Sequence, residues 1–263
     1  LGSGVGTTTI GAGATLDLVG VNVAAGSLAL NGGTLKDATS TWGGSVVLSG
    51  NTSFEVAARD TLIVSGVISG TGTLTKVGSG VLSLSRVNGY TGSTTISAGT
   101  LALTGSGSIA DSAKLVANST FDISGTTSGA SVKSLDGSGF VVLGSKTLSV
   151  TAANDTFAGE ISGTGGLTLT SGTLTLSGAN AYTGTTTISG GTLALTGSGS
   201  IADSAKLVVT GTFDISGTTT GASIKSLDGS GDVVLGTKAL TISAANDSFS
   251  GQISGDGSLI LSS

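Results

Sequence analysis

Short runs of alternating apolar and polar residues follow one another along the chain. Within one 82-residue stretch they lie at 82–84, 101–103, 121–123, 141–143, 148–150 and 157–161. An apolar residue at every second position is typical of a β-strand, and the Gly, Asn, Asp and Ser residues between runs are typical of turns. The best helical candidate, residues 109–115, would make at most one or two turns. The pattern therefore predicts an all-β chain.

The chain repeats itself with a period of 92 residues. Residues 100–116 (TLALTGSGSIADSAKLV) recur unchanged at 192–208, and residues 80–161 align with 172–253 at 61 of 82 positions without a gap. A period of this kind indicates a repeat architecture. We predict a single β-solenoid over residues 1–263. Its 92-residue repeats lie at about 80–171 and 172–263, after a more divergent N-terminal part, 1–79.

Two β architectures could accommodate such a repeat. A sandwich domain has about 100 residues and about seven strands, whereas each period here contains more strands, and they are shorter. Stacked coils would instead align identical side chains in internal Leu, Ile and Val ladders and external Thr, Ser and Asn ladders, with Gly at the corners. We therefore predict a solenoid with four turns of about 23 residues in each period.

Residues 68–103, ISGTGTLTKVGSGVLSLSRVNGYTGSTTISAGTLAL, contain a spaced pattern of Gly, Leu, Asn, Tyr and Thr. This pattern closely resembles the autotransporter-associated β-strand repeat, also called the passenger-associated transport repeat, of bacterial type V secreted proteins. The matching positions are Gly72, Leu74, Lys76, Gly78, Gly80, Leu82, Leu84, Asn88, Tyr90, Gly92, Thr94, Ile96, Gly99 and Leu101. The second copy, from Ile161, lacks the Lys and one residue of the loop.

The resemblance implies a right-handed parallel β-helix and an extracellular or cell-surface location in a bacterium. Proteins of this family include adhesins, aggregation factors and enzymes, and the repeat itself is implicated in passage across the outer membrane. The family therefore indicates a fold and a compartment more directly than an activity.

Composition excludes several classes of chemistry. The chain has no His, Cys, Pro or Met, so Ser-His-Asp and Cys-His nucleophilic sites and zinc sites built on imidazole or thiolate are absent. A net charge of −5 argues against nucleic acid, which requires a basic surface. No run approaches the roughly 20 apolar residues of a membrane helix. Residues 1–4 lack the features of a signal peptide, so we expect a mature or excised segment. We expect no cofactor and no membrane insertion.

The only tyrosines, Tyr90 and Tyr182, occupy matching positions beside Asn88 and Asn180. They could stack on sugar rings. The simpler interpretation, which we favour, is that each Tyr covers a corner of the solenoid while its Asn satisfies backbone groups of a turn.

The carboxylates also recur with the repeat. Four aspartates of the first copy return 92 residues later: Asp111, Asp122, Asp136 and Asp155 as Asp203, Asp214, Asp228 and Asp247. A glycosidase needs a local pair, so we predict that these are turn and cap residues. Residues 227–232 (LDGSGD) faintly resemble a calcium roll, but the first copy has Phe140 where Asp232 stands. The single Trp42 either closes a loop over the solenoid or marks a contact. We expect no catalytic, cofactor or metal residue.

The sequence thus favours a non-enzymatic extracellular segment, a stalk, spacer or fibre, that could associate with itself end to end or laterally. One alternative is an adhesin module that binds glycans or neighbouring cells through external ladders such as Thr91, Thr94, Thr183 and Thr186. A less favoured one is a polysaccharide-processing β-helix, which predicts an aperiodic cluster of carboxylates and basic residues. The sequence shows no such cluster.

Overall fold

A computed structural model describes residues 6–262 of the chain. Every regular element within this range is a β-strand, which confirms the all-β prediction. The same range contains no helix that is long and apolar enough to cross a membrane. The chain divides into two compact units, Leu1–Lys133 and Ser134–Ser263.

The described part of the first unit is built from short strands. They are β1 (Thr7–Gly11), β2 (Thr15–Asp17), β3 (Ser27–Asn31), β4 (Thr34–Asp37), β5 (Ser40–Trp42), β6 (Val46–Ser49), β7 (Asn51–Val56), β8 (Thr61–Val64), β9 (Ile68–Gly70), β10 (Thr73–Val77), β11 (Val81–Leu84), β12 (Thr94–Ile96), β13 (Thr100–Gly105), β14 (Leu115–Ala117), β15 (Thr120–Thr126) and β16 (Ala130–Val132).

These strands stack in parallel on three faces. The orders are β1-β3-β6-β9 on one face, β2-β4-β7-β10-β12-β14 on a second and β5-β8-β11-β13-β15 on a third. Consecutive strands along the chain lie on different faces, and the chain returns to each face one coil later. Such an arrangement is a β-solenoid, as the sequence predicts.

The second unit contains the remaining strands. They are β17 (Leu135–Asp136), β18 (Phe140–Val142), β19 (Leu148–Val150), β20 (Thr156–Phe157), β21 (Glu160–Ser162), β22 (Leu167–Leu169), β23 (Thr173–Leu176), β24 (Thr186–Ile188), β25 (Thr192–Gly197), β26 (Leu207–Val209), β27 (Thr212–Thr218), β28 (Ala222–Ile224), β29 (Leu227–Gly229), β30 (Asp232–Gly236), β31 (Ala239–Ile242), β32 (Gln252–Gly255) and β33 (Ser258–Leu261).

The second unit is also a parallel solenoid. Its stacks are β19-β22-β24-β26-β29, β20-β23-β25-β27-β30-β32 and β28-β31-β33, and β18 pairs with β21. Along the central strands every second side chain points inward, so apolar residues align coil upon coil in the interior. Leu174 lies beside Leu193, for example, and both are fully buried. Burial of these ladders is the main stabilising term of the fold.

The coils are shorter than we predict from the sequence. Paired residues on consecutive coils are 18 residues apart at Leu28 and Val46 and 22 apart at Val46 and Ile68. In the second unit the separation is 18 at Ala222 and Leu240. The prediction of about 23 residues per turn, with four turns in each period, is therefore wrong. Two or three short strands with tight corners complete a coil, and a period holds more than four coils.

A period of 92 residues is not a whole number of these coils, and its two copies do not fold onto the same sheet. Within the second unit, Leu148 pairs with Leu167 in the β19–β29 stack, whereas its copy Leu240 lies in the β28–β33 stack. Val141 likewise pairs with Ile161, but its copy Val233 lies in the β20–β32 stack. Identical sequence is therefore accommodated on different faces of the solenoid.

Glycine at some corners lets consecutive coils approach closely. A Cβ atom on Gly44 would lie 1.6 Å from the carbonyl oxygen of Gly26, and one on Gly66 would lie 1.7 Å from that of Gly44. Real side chains do not tolerate such distances, so this corner requires glycine at positions 44 and 66, on two consecutive coils.

Candidate functional site

The most conspicuous polar side chains of the repeat lie inside the solenoid. Asn88 is only 2% exposed. Its Oδ1 accepts a hydrogen bond of 2.9 Å from the backbone N–H of Ile68, on the preceding coil. Its Nδ2 donates to the carbonyl oxygens of Arg86 (2.8 Å) and of Ser108 (3.0 Å), on the following coil. One amide side chain therefore connects the backbones of three consecutive coils.

Two residues further along, Tyr90 begins a chain of buried hydroxyl groups. Its hydroxyl oxygen lies 2.6 Å from Thr94 Oγ1, which in turn lies 2.9 Å from Ser112 Oγ on the next coil. Ser112 is also placed to donate to the carbonyl oxygen of Gly92 at 2.9 Å. All three hydroxyl-bearing side chains are buried. We call Asn88, Tyr90, Thr94 and Ser112 the first polar clamp.

The second copy of the repeat reproduces this arrangement almost atom for atom. Asn180 accepts from the N–H of Ile161 at 3.0 Å, and its Nδ2 donates to the carbonyl of Ser200 at 3.0 Å. The Tyr182 hydroxyl lies 2.6 Å from Thr186 Oγ1, which bonds to Ser204 Oγ at 2.9 Å. Asn180, Tyr182, Thr186 and Ser204 form the second polar clamp.

The clamps test both interpretations of the tyrosines. Both rings are fully buried, so neither presents a face on which a sugar could stack. Burial raises the pKa of each phenol well above its usual range, although the hydrogen bonds to Thr94 and Thr186 oppose the shift. Asn88 and Asn180 bond to backbone groups, as the interpretation favoured from the sequence states. The tyrosines lie inside the solenoid instead of covering a corner.

Lys76 is a second buried polar group of the first copy. Its side chain is fully buried, and its Nζ donates to the carbonyl oxygens of Val77 (2.7 Å), Gly78 (2.6 Å) and Ala98 (3.2 Å). Burial lowers the pKa of the Lys76 ammonium to about 8, because an ion is less well solvated in the interior than in water. The lysine thus closes a turn from inside the solenoid.

The second copy shows why this lysine and the extra loop residue occur together. Lys76 pairs with Ile96 and Leu169 pairs with Ile188, so Leu169 occupies the position of Lys76. Only Thr170 stands where the first copy has Val77 and Gly78. The shorter loop of the second copy has one backbone carbonyl fewer than the loop that Lys76 binds. The apolar Leu169 side chain stands there in place of the lysine ammonium.

Half of the recurring aspartates lie between strands, as predicted for turn residues: Asp111, Asp155, Asp203 and Asp247. The other four lie within strands, so the prediction of a turn location is wrong for Asp122, Asp136, Asp214 and Asp228. Asp122 Oδ1 and Asp214 Oδ1 each accept a hydrogen bond of 2.8 Å from the N–H two residues later, on Ser124 and Ser216. This bond is typical of an Asx turn. Asp136 Oδ1 accepts one of 2.6 Å from the N–H of Gly137.

The carboxylates of Asp155, Asp228 and Asp247 bond to serine or lysine, whereas Asp111 and Asp203 accept through their backbone carbonyls. Asp155 accepts from Ser134 Oγ at 2.7 Å, and the carbonyl oxygens of Asp111 and Asp203 accept from Lys133 and Lys225. Lys206 Nζ lies 3.0 Å from Asp228 Oδ2 and 3.2 Å from Asp247 Oδ1. Both bonds raise the pKa of the Lys206 ammonium. The pKa of the Asp247 carboxyl is lowered mainly by the hydrogen bond from Ser226 and to a lesser extent by Lys206. No group of three or more acidic side chains suited to a metal ion lies within residues 6–262.

Trp42 lies inside the first unit and is 1% exposed. It pairs with Val23 and Val64 on adjacent coils. Its Nε1–H has no hydrogen-bond partner in the structure, and neither has Oδ2 of the buried Asp37. The ring fills the core instead of covering a loop or marking a surface contact, so neither sequence interpretation of Trp42 describes it.

The prediction that Thr91, Thr94, Thr183 and Thr186 form an external ladder is wrong for two of these four residues. Thr91 and Thr183 are exposed, but Thr94 and Thr186 are buried members of the clamps. A threonine can face inward when its hydroxyl finds a partner there. An outward row of hydroxyl side chains does exist in the first unit, formed by Thr15, Thr34, Ser53, Thr75 and Thr95 on successive coils.

A shallow depression of about 280 Å³ lies on the surface of the second unit. Small residues line it, among them Ser198, Ser200, Thr220, Ser223 and Thr241, and its lining contains no carboxylate and no aromatic ring. It therefore lacks the paired acids that glycoside hydrolysis requires.

Sequence reasoning did not identify the inward positions of Lys76, Ser112 and Ser204. For Lys76 a signal is present, because it lies two residues after Leu74 and so shares its face of the strand. For Ser112 and Ser204 we see no local signal. They follow irregular segments, and their partners are on another coil.

Comparison with known families supports the resemblance of the repeat. The family model of the passenger-associated transport repeat matches residues 74–103 and 171–195, which contain Lys76, Asn88, Tyr90 and Thr94 of the first copy and Asn180, Tyr182 and Thr186 of the second. Searches of the curated proteins and of the solved structures gave no significant match.

Proposed function

We propose, from the two passenger-associated transport repeats that the chain carries, that it is a non-enzymatic structural segment of an autotransporter-type passenger. In this role the solenoid is a stalk or spacer on the bacterial surface or outside the cell, and its activity is to extend and to resist unfolding. The family of the repeat supports the passenger assignment and the compartment.

The observation that carries the proposal is that the two copies of the repeat lie on different sheets. A binding surface that runs along the solenoid needs the same side chains to recur on one face. In the second unit, Leu148 and its copy Leu240 belong to different stacks, as do Val141 and Val233. The repeated sequence therefore supplies the same core residues in both copies, but it does not place the same outward side chains on one face of the solenoid. Such a pattern favours a scaffold over a ligand-binding surface.

The use of the polar groups points in the same direction. The buried hydroxyl and amide groups of the clamps bond to one another and to the backbone. Six of the eight recurring aspartates bond through their carboxylates to backbone N–H groups, serine or lysine. A hydrolase would keep a carboxylate pair open to substrate. The arrangement favours a segment without catalysis.

Deletion of residues 80–171 from the native surface protein tests this proposal. The new junction joins Ser79 to Gly172 and reproduces the Ser171–Gly172 sequence of the second copy. We expect display to be retained and the reach above the outer membrane to shrink by roughly 20 Å, since parallel coils lie about 4.8 Å apart. A deletion of residues 80–160 is out of phase with the repeat, and we expect it to abolish display. An unchanged reach after the 80–171 deletion would contradict the stalk.

The outward hydroxyl row of the first unit favours a second candidate function, adhesion. Thr34, Ser53 and Thr75 are paired on consecutive coils, so their hydroxyls repeat every 4.8 Å or so along the face. Such a row could bond to the hydroxyl groups of a glycan.

A triple variant, Thr34→Val, Ser53→Ala and Thr75→Val, tests adhesion. Binding to an array of hexose oligosaccharides should be lost while the fold stays intact. The control is the same type of change in the row Thr173, Thr192 and Thr212 of the second unit. No binding by the unchanged protein would remove this candidate. Homotypic association, end to end or lateral, stays a prediction.

A further inference from the structure

The apolar ladders of this solenoid do not by themselves specify how one coil aligns with the next. Leu82 pairs with Leu101, and Leu84 pairs with Leu103. A slip of two residues would place Leu103 on Leu82 and keep every side chain on its face, because the side-chain period of a strand is two. Leu174 and Leu176 against Leu193 and Leu195 present the same ambiguity. Leucine-on-leucine contacts survive the slip.

The polar clamps do not survive it. The N–H of Ile68, the carbonyl of Ser108 and the amide of Asn88 meet only in the observed alignment. A slip of two residues moves a partner by almost 7 Å along the strand. Asn88 is 2% exposed, so water would not replace the lost bonds and buried polar groups would be left unpaired.

The hydroxyl chain adds a second constraint between the next pair of coils. Thr94 faces inward and pairs with Leu115, one coil further along. Its 2.9 Å contact with Ser112 Oγ would be broken by the same slip. The bonds of Asn88 and the hydroxyl chain of Thr94 together define the alignment of three consecutive coils. The second polar clamp repeats this arrangement at Asn180 and Thr186.

We propose that the two polar clamps set the coil register of the solenoid, by making every slipped alignment leave buried polar groups without partners. A buried asparagine that fixes the register of a coiled coil is a well-attested use of the same principle. The clamps then act as specificity elements, and the leucine ladders supply most of the stability.

The absence of cysteine in the chain allows register to be measured by disulfide formation. Thr75 and Thr95 are paired on adjacent coils, at a spacing of about 4.8 Å that a disulfide can bridge. The native reporter is therefore Thr75→Cys with Thr95→Cys. The slipped reporter is Thr75→Cys with Ser97→Cys, whose Cα atoms would be about 8 Å apart in the native register and could not be bridged.

Each reporter is placed in three backgrounds: the unchanged chain, the apolar clamp Asn88→Leu, Tyr90→Phe and Thr94→Val, and the core control Leu82→Ala. Intramolecular disulfide is measured in dilute solution after refolding and air oxidation. In the unchanged chain and the core control, the native reporter should oxidise at least tenfold more than the slipped one. In the apolar clamp, the slipped reporter should reach a comparable yield.

Exclusive oxidation of the native reporter in the apolar clamp would overturn the proposal. If that variant does not fold, Tyr90→Phe with Ser112→Ala replaces it, and an easily measured slipped fraction is then expected because Asn88 is the only member of the first polar clamp that still bonds across the coils. No slipped disulfide in this milder variant would also overturn the proposal, as would a slipped fraction of the same size in Leu82→Ala.

Discussion

The Lys76 ammonium donates a hydrogen bond of 3.2 Å to the carbonyl oxygen of Ala98, one coil further along the solenoid. Because Lys76 also caps the carbonyls of Val77 and Gly78, a single charge links two coils and closes a turn. The charge is fully buried and contacts no carboxylate in these bonds. It therefore makes the stability of the first unit depend on pH.

We expect the free energy of unfolding to rise between pH 8 and about 10. The folded pKa of Lys76 is about 8, against an ordinary value of 10.5. The unfolded chain thus binds more protons in this interval, and stability increases with pH. Above pH 10 the trend reverses, because burial raises the folded pKa of Tyr90 and Tyr182 above their unfolded values and the native state then holds more protons.

Urea unfolding followed by Trp42 fluorescence measures this effect at a series of pH values, since the buried ring is the only tryptophan. Lys76→Met should flatten the rise between pH 8 and 10. Parallel curves for the unchanged protein and Lys76→Met would show that another group is responsible.

Replacement of Lys76 by leucine should be tolerated only when the adjoining loop is shortened as well. Lys76→Leu leaves buried carbonyls without their donor and should destabilise the protein by about 1–3 kcal/mol. Deletion of Gly78 in that variant reproduces the shorter loop beside Leu169 and should recover much of the loss. Leu169→Lys is the converse test and should cost about 3–5 kcal/mol, because the charge is buried without partners. Urea midpoints compare the variants. Equal midpoints for Lys76→Leu with and without the deletion would contradict this coupling.

The two clamps should have the same energetic weight. Tyr90→Phe and Tyr182→Phe each remove one buried hydroxyl that bonds to a threonine at 2.6 Å. We expect each to lower the free energy of unfolding by about 1 kcal/mol. Hydrogen exchange of amides near each clamp measures the loss locally. A large cost at one tyrosine and none at the other would mean that the copies are not equivalent.

Corner glycines should differ sharply in their tolerance of alanine. Gly44→Ala would force a methyl group against the carbonyl of Gly26 and should destabilise the protein by about 2–3 kcal/mol or more. Gly11, the last residue of β1, has no atom of residues 6–262 within 4 Å of the position that a Cβ would take, so Gly11→Ala is the control and should be neutral or slightly stabilising. Thermal unfolding compares the two. A tolerated Gly44→Ala would show that the coils can separate at this corner.

Trp42 offers a test of an unpaired buried donor. Its Nε1–H has no partner among residues 6–262, so Trp42→Phe removes a polar group that is costly to bury and leaves a smaller ring. We expect a net change within about 1 kcal/mol. Trp42→Ala should cost about 3–5 kcal/mol through the cavity it leaves. Calorimetry is suitable here because the tryptophan signal is lost. A comparable cost for both variants would mean that the indole N–H is satisfied in solution.

Much of the fold could be predicted from the pattern of residues alone. The period-two runs predict the strands at 82–84, 101–103 and 148–150, and the structure has β11, β13 and β19 there. The 92-residue repeat and the Asn-x-Tyr pattern predict a solenoid with passenger-type repeats. The strands follow from short-range alternation, the solenoid follows from the self-alignment of the chain, and the passenger-type repeat follows from the family resemblance of residues 68–103.

The buried polar clamps were harder to predict from the sequence than the strands. Thr94 and Thr75 are both polar residues in short strands, yet Thr94 is fully buried and Thr75 faces outward from β10. The alternating pattern tells whether a residue faces inward or outward only after the start of its strand is known. Because β12 follows an irregular segment, its start could not be located from the sequence. The role of Thr94 also depends on Ser112, which the next coil supplies.

The all-β character of the chain, the stacking of its coils and the presence of internal Leu, Ile and Val ladders are therefore encoded in the residue pattern. The length of a coil, the displacement of identical repeats onto different sheets and the meeting of Asn88 with Ile68 and Ser108 depend on the folded chain. A coil closes through corners whose geometry depends on the coils beside it, and buried polar groups are paired across distances of about 20 residues, which no local pattern records.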